Sequence, residues 1–207
     1  GVYQRPSFYT KILDHDGNVL LDNTGGQEAK SVIKDSTAWL LTNAMEDVIQ
    51  KGTGKLLKFR NLPMAQAGKT GTSTGNRDLW FVGYTPNLTA GIWGGYDSNR
   101  KQNQPSYHKN LWRDIMETLN RNYTVYSFQK PSSVTTESIC TKCGKLAIEE
   151  LCNRAIGGSC EKKEFFAIDS VPTETCDCHI RCKICRTSGR LAGDGCPASQ
   201  IYTAVYL

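Results

Sequence analysis

All nine cysteines of this 207-residue chain fall between positions 140 and 196. A segment so rich in thiols and so poor in large apolar side chains cannot rest on a hydrocarbon core. It needs covalent or metal cross-links. The cysteine-free portion before it is under no such constraint. The chain therefore reads as two parts, residues 1–126 and 127–207, with a break in composition around Ser127, Pro131, Ser132 and Ser133.

The second part contains an internal repeat. Cys140-Thr141-Lys142-Cys143-Gly144-Lys145-Leu146-Ala147 returns, offset by 45, as Cys185-Arg186-Thr187-Ser188-Gly189-Arg190-Leu191-Ala192. Each copy closes on a further cysteine, Cys152 or Cys196, so two modules are expected, at about 134–160 and 179–207. Gly144 and Gly189, each followed by a leucine, predict a turn feeding a short strand, hence a mainly β tail. Two cross-linking schemes compete. Cys140-x-x-Cys143 and Cys182-x-x-Cys185, with Cys176, Cys178 and His179 nearby, have zinc-ligand spacing. The repeat favours disulfides instead, because Ser188 stands where Cys143 does. The recurring pairs are then Cys140–Cys152 and Cys185–Cys196, loops worth ~3 kcal/mol each by chain entropy. The reading adopted is two disulfides and no cofactor, with zinc on the tail cysteines and His179 as the alternative. An odd cysteine count leaves one thiol over.

In the first part the chemistry concentrates in Ala67-Gly68-Lys69-Thr70-Gly71-Thr72-Ser73. Lys-Thr-Gly is one of three signatures of penicillin-binding proteins and class A β-lactamases. Lys69 supplies a point charge for an anion, and the Thr70 and Thr72 hydroxyls can donate to carboxylate oxygens. Gly71 between them leaves room for a substrate backbone. An exposed strand edge of this kind can take a peptide as an added strand.

Asp78-Leu79-Trp80-Phe81-Val82-Gly83-Tyr84-Thr85-Pro86 and Leu88-Thr89-Ala90-Gly91-Ile92-Trp93-Gly94-Gly95-Tyr96-Asp97 follow. With them, the stretch resembles the late part of the transpeptidase domain of class A, bifunctional penicillin-binding proteins. Residues 1–54 and 107–122 fit the same family. The tail, with Pro172-Thr173, Cys176 and His179, resembles one found on some clostridial-type members. The resemblance implies an α+β fold, a partial transpeptidase domain followed by the Cys-rich tail. It implies catalytic roles for Lys69 and Thr72, the Thr72 amide completing an oxyanion hole, and substrate contacts from Thr70, Gly71, Thr72 and Ser73. The implied partners are peptidoglycan stem peptides and β-lactams, with the N-terminal half of the domain. The implied location is the extracytoplasmic face of a bacterial membrane, reached through an anchor outside these residues. That location also favours disulfides.

The family's nucleophile is the serine of Ser-x-x-Lys, assisted by Ser-x-Asn. Only Ser31-Val32-Ile33-Lys34 matches before Lys69, and it lies far too close to Lys69 for the family's order. No Ser-x-Asn precedes Lys69 either. The expectation is a fragment of a D,D-transpeptidase that lacks the nucleophile and is inactive alone. A non-enzymatic wall- or surface-binding module, or a β-lactamase or D,D-carboxypeptidase of the same fold, are the alternatives.

Elsewhere the pattern is structural. Asp16-Gly17 predicts a hairpin over residues 7–23. Asp35 or Ser36 can cap a helix that buries Ala38, Leu41, Met45, Val48 and Ile49 and stops at Gly52. Residues 66–73, 79–85 and 89–96 read as three antiparallel strands, with Trp80, Phe81, Tyr84, Ile92 and Trp93 as sheet packing. A helix carrying Leu111, Trp112, Ile115, Met116 and Leu119 covers one sheet face. His15 and His108 read as solvated. A net charge of +5 with no basic run gives no case for nucleic acid, and no apolar run is long enough for a membrane helix.

Overall fold

The computed structural model describes residues 1–25 and 28–207. They form two units, Gly1–Pro131 and Ser132–Leu207. In the first, β1 (Val2–Gln4) pairs with β4 (Ala29–Ser31), and β2 (Lys11–Leu13) with β3 (Val19–Asp22), both antiparallel. The β2–β3 hairpin turns at Gly17, whose φ of 85° lies in the left-handed region that glycine adopts without penalty.

Helix α1 (Asp35–Gln50) starts without a side-chain cap. Its N-cap is Lys34, and Asp35 is already its first residue, taking a hydrogen bond from the Ser36 amide at 2.6 Å. The two residues read as caps thus sit one and two residues inside the helix. Of the five apolar residues assigned to its buried face, only Ile49 is fully buried and Leu41 is 56% exposed.

Strands β5 (Ala67–Thr72), β6 (Leu79–Tyr84) and β7 (Thr89–Gly94) form one antiparallel sheet in that order. The register sets Lys69 opposite Val82 and Gly91, and Gly71 opposite Trp80 and Trp93. The alternate set is Thr70, Phe81 and Ile92, then Thr72, Leu79 and Gly94. Since side chains alternate across a sheet, these two sets lie on opposite faces. The second face is packed: Phe81 is buried and meets the Trp112 ring edge-on at 4.8 Å. It joins Ile49, Leu57, Phe59, Met64, Trp112 and Met116 in the core. The first face is open, and Trp80 and Trp93 stand there about half exposed, their rings 6.4 Å apart. Reading all the aromatics of these strands as packing was therefore wrong for these two, because period-2 alternation puts them on the uncovered side.

Helix α2 (Tyr107–Leu119) covers the packed face with Trp112 and Met116, while Leu111, Ile115 and Leu119 are exposed. The rest of its inner surface is polar. Trp112 Nε1 donates to the Ala90 carbonyl at 2.9 Å. Glu117 accepts the Arg60 and Asn61 amides at 3.2 and 2.6 Å, and Arg113 Nη1 donates to the Leu56 carbonyl at 2.9 Å. His108 is buried rather than solvated, and burial, then the neighbouring Lys109 charge, hold its imidazole below the usual histidine range.

The second unit realises the repeat as two hairpins. Strand β8 (Val134–Cys140) pairs with β9 (Glu161–Ala167), and β10 (Ile180–Cys185) with β11 (Ile201–Tyr206). In the first copy Gly144 donates to the Cys140 carbonyl, Cys140 to that of Lys145, and Ala147 to that of Ser138. In the second, Gly189, Cys185 and Ala192 make the same three bonds to Cys185, Arg190 and Lys183. Both turn glycines have positive φ, 74° and 68°. The packing beneath the two turns differs. The first copy buries Cys140, Cys152, Ala155 and Cys160 together with Cys176 of the segment that follows it.

Candidate functional site

Strand β5 is the first of two clusters with chemical content. It pairs with β6 on one side only, so among the described residues its other edge meets no strand. Gly68 lies opposite Gly83, and a Cβ on either would strike Phe81 at 2.5 or 2.4 Å. The missing side chains let the Phe81 and Trp112 rings slide beneath the strand and set its height. A Cβ on Gly71 would meet Trp80 Cβ at 3.2 Å, so this glycine serves a cross-strand contact besides leaving the strand bare.

The residues expected to act together divide between the faces. Lys69 and Gly71 belong to the open face, and Lys69 Nζ folds back on the Thr70 carbonyl at 3.1 Å. Thr70 and Thr72 belong to the helix-side face. Thr70 Oγ1 lies 3.0 Å from Thr53 Oγ1, and Lys109 Nζ donates to the Thr53 carbonyl at 2.9 Å. Thr53 lies in the turn that follows α1. Its pairing with Thr70 spans 17 residues, and no local pattern reports it. Thr72 is exposed beyond this pair. A ligand lying along the bare edge has the ammonium to one side and the two hydroxyls to the other.

Ser73 is engaged differently from its expected substrate contact. Its Oγ donates to Asp78 Oδ2 at 3.0 Å and accepts the Asp78 amide at 2.7 Å, while Trp93 Nε1 donates to Asp78 Oδ1 at 3.2 Å. Ser73 closes the loop between β5 and β6.

The second cluster joins Cys140 and Cys152 of the first repeat copy to the Cys176–His179 segment that leads into β10. The expected Cys185–Cys196 disulfide is present, with its Cα atoms 6.0 Å apart. The expected Cys140–Cys152 disulfide is absent, and both are free thiols. The reason is His179. Its Nδ1 lies 3.2 Å from Cys176 Sγ, 3.5 Å from Cys178, 3.6 Å from Cys140 and 3.8 Å from Cys152. Cys140 and Cys152 both lie against one imidazole. Burial opposes ionisation of Cys176, yet hydrogen bonds from His179 and its neighbours outweigh it and lower its thiol to about 5. Burial pushes Cys152 up to about 12.

Solved structures carry the same fold. Penicillin-binding protein 1A of Haemophilus influenzae superposes with a TM-score of 0.62 over 84% of this chain and 30% of its own, at 21% identity. The class is thus that of the penicillin-binding transpeptidase fold. The family model for the penicillin binding protein transpeptidase domain matches residues 1–117, and the chain belongs to that family. A second model, for the C-terminal domain of penicillin-binding protein 1A, matches residues 130–181. Among curated relatives, penicillin-binding protein 1A of Clostridium botulinum is 33% identical over 210 residues, covering 100% of this chain and 25% of that protein. The Clostridium perfringens protein of the same name is 33% identical over 181 residues, covering 86% and 21%. The chain thus spans about a quarter of the length of these relatives.

Proposed function

We propose that residues 1–131 form the anion-binding side of a peptidoglycan D,D-transpeptidase, acting on stem peptides and acylated by β-lactams. The observation that carries this reading is β5: a strand with one unpaired edge, an exposed Lys69 on one face and Thr70 and Thr72 on the other. A substrate ending in a carboxylate can add to that edge as a strand, its anion meeting the ammonium and the hydroxyls. In this scheme the Thr72 amide serves as one oxyanion donor, a contribution of about 3–4 kcal/mol. The attacking serine belongs to a part of the polypeptide outside these residues, and so does the membrane anchor. No helix among the described residues is long and apolar enough to cross a membrane. Such a protein works on the extracytoplasmic side of the cell membrane.

On this account the 207-residue chain alone is not acylated. Intact-mass spectrometry after incubation with benzylpenicillin is expected to show no adduct. A stable adduct on Ser31 or Ser73 would contradict the account. Labelling and peptide mapping of the longer polypeptide are expected to place the adduct on a serine outside these residues.

A further inference from the structure

We infer that Cys140 of the first repeat copy, together with Cys176, Cys178 and His179 of the segment leading into β10, holds a zinc ion. These four side chains bring one ligand atom each within 4.8 Å of all the others. Cys176 and Cys178 Sγ lie 3.6 Å apart, and Cys140 and Cys178 Sγ 3.8 Å apart. The three sulfurs stand 3.2–3.6 Å from His179 Nδ1. A tetrahedron with Zn–S near 2.3 Å and Zn–N near 2.0–2.1 Å has S···S edges of about 3.8 Å and S···N edges of about 3.5 Å. On these five of the six edges the side chains already have the spacing of a coordination shell, and the sixth, between Cys140 and Cys176, lies within 4.8 Å.

Hydrogen bonding alone does not account for so many sulfurs around one nitrogen. A ring nitrogen offers one lone pair or one proton, and four thiols crowd it within 3.8 Å. A divalent cation satisfies several thiolates and the imidazole at once. Thiolate and imidazole donors in tetrahedral array select zinc over harder metals.

The backbone supports the site independently of any ion. Cys176 donates to the Leu146 carbonyl at 2.8 Å, and Leu146 to the Glu174 carbonyl at 3.0 Å, which pins the Cys176–His179 segment to the turn after Cys140. Lys145 fastens the same pair of segments through Glu174 at 2.8 Å and Asp177 at 2.6 Å. His179 is 4% exposed, Cys140 and Cys176 are buried and Cys178 is half-buried, so the cluster is largely shielded from solvent.

The repeat supplies a control. Where the second copy closes Cys185 onto Cys196, the first turns the corresponding Cys140 and Cys152 toward His179. One copy has a covalent staple; the other has a metal staple in its place. Cys152 stays outside the shell, the farthest of the four sulfurs from Nδ1, with its Sγ accepting the Ile148 amide at 3.4 Å. Loading displaces whatever thiol protons the three cysteines still carry, and the binding energy becomes folding energy of this unit.

The test uses the full 207-residue chain purified with a non-chelating reductant, loaded with zinc and desalted, and assayed by plasma mass spectrometry. One zinc per chain is expected, with cobalt substitution giving sulfur-to-cobalt charge-transfer bands and intense tetrahedral d–d bands. Cys178→Ser and Cys140→Ser are expected to retain less than about a tenth of the metal, whereas Cys160→Ser and Cys182→Ser retain it. If the ligand variants do not fold, alkylation of the wild-type chain decides: zinc is expected to protect Cys140, Cys176 and Cys178 selectively among the seven free thiols. Absence of stoichiometric metal would overturn the proposal. So would a Cys140–Cys152 disulfide in the non-reduced chain, or zinc lost with Cys152→Ser but kept with Cys178→Ser.

Discussion

Thr53 Oγ1 and Thr70 Oγ1 face each other at 3.0 Å, joining the turn after α1 to the edge strand β5. The contact fixes the rotamer of a hydroxyl to which the proposed function assigns anion binding. In the longer polypeptide, Thr53→Val is expected to slow acylation by benzylpenicillin about 2- to 10-fold, the range of one neutral hydrogen bond. Thr53→Ser is expected to restore it. Stopped-flow or gel-based labelling rates check both.

Gly68 and Gly83 are expected to tolerate no side chain. Gly83→Ala drives a methyl into Phe81 and Trp112, at 2.4 and 2.9 Å, and is expected to destabilise the first unit by about 1–3 kcal/mol or more. Gly75→Ala offers a comparison: the site is open, and only its φ of 76° opposes the change. Urea unfolding followed by tryptophan fluorescence separates the two, with the larger loss at Gly83.

Ser73 is expected to behave as a loop residue. Ser73→Ala removes both of its hydrogen bonds to Asp78 and is expected to cost about 1–3 kcal/mol of stability. In the longer polypeptide its acylation rate is expected to fall by less than that of Thr72→Val. An effect on acylation without one on stability would instead support the expected substrate contact of Ser73.

Reducing the Cys185–Cys196 bond opens a loop with a sequence separation of 11 and is expected to destabilise the second unit by about 3 kcal/mol. Cys185→Ala/Cys196→Ala followed by circular dichroism in the β region checks it.

Much of this was legible in the sequence because the signals were local. The Asp16-Gly17 hairpin, the three strands around Lys69 and the Gly144/Gly189 turns each follow from a period of two or a glycine at a fixed place. What escaped was set by partners distant in the chain. Trp80 and Trp93 carry the composition of packed residues, and only the sheet's register shows that they share the uncovered face with Lys69. His108 sits at a helix start, where solvent is the ordinary expectation, but α2 turns it inward. Cys140 and Cys152 copy the spacing of Cys185 and Cys196, and the repeat suggested the same bond. His179, 39 residues after Cys140, redirects both. The Cys176-Asp177-Cys178-His179 run carries a sequence signal for the cluster, but the recurrence of Cys140 and Cys152 as Cys185 and Cys196 points to disulfides instead.

The most direct test of the central claim is the acylation rate of Thr72→Val in the longer polypeptide that contains this chain. Thr72 lies exposed at the end of β5, and valine keeps its shape while removing the hydroxyl. Loss of a hydrogen bond to a charged group is worth about 1.5–3 kcal/mol, so the second-order rate with benzylpenicillin is expected to fall about 10- to 150-fold with the unfolding midpoint unchanged. An unchanged rate in a normally folded variant would contradict the assignment of β5 as the carboxylate-binding strand.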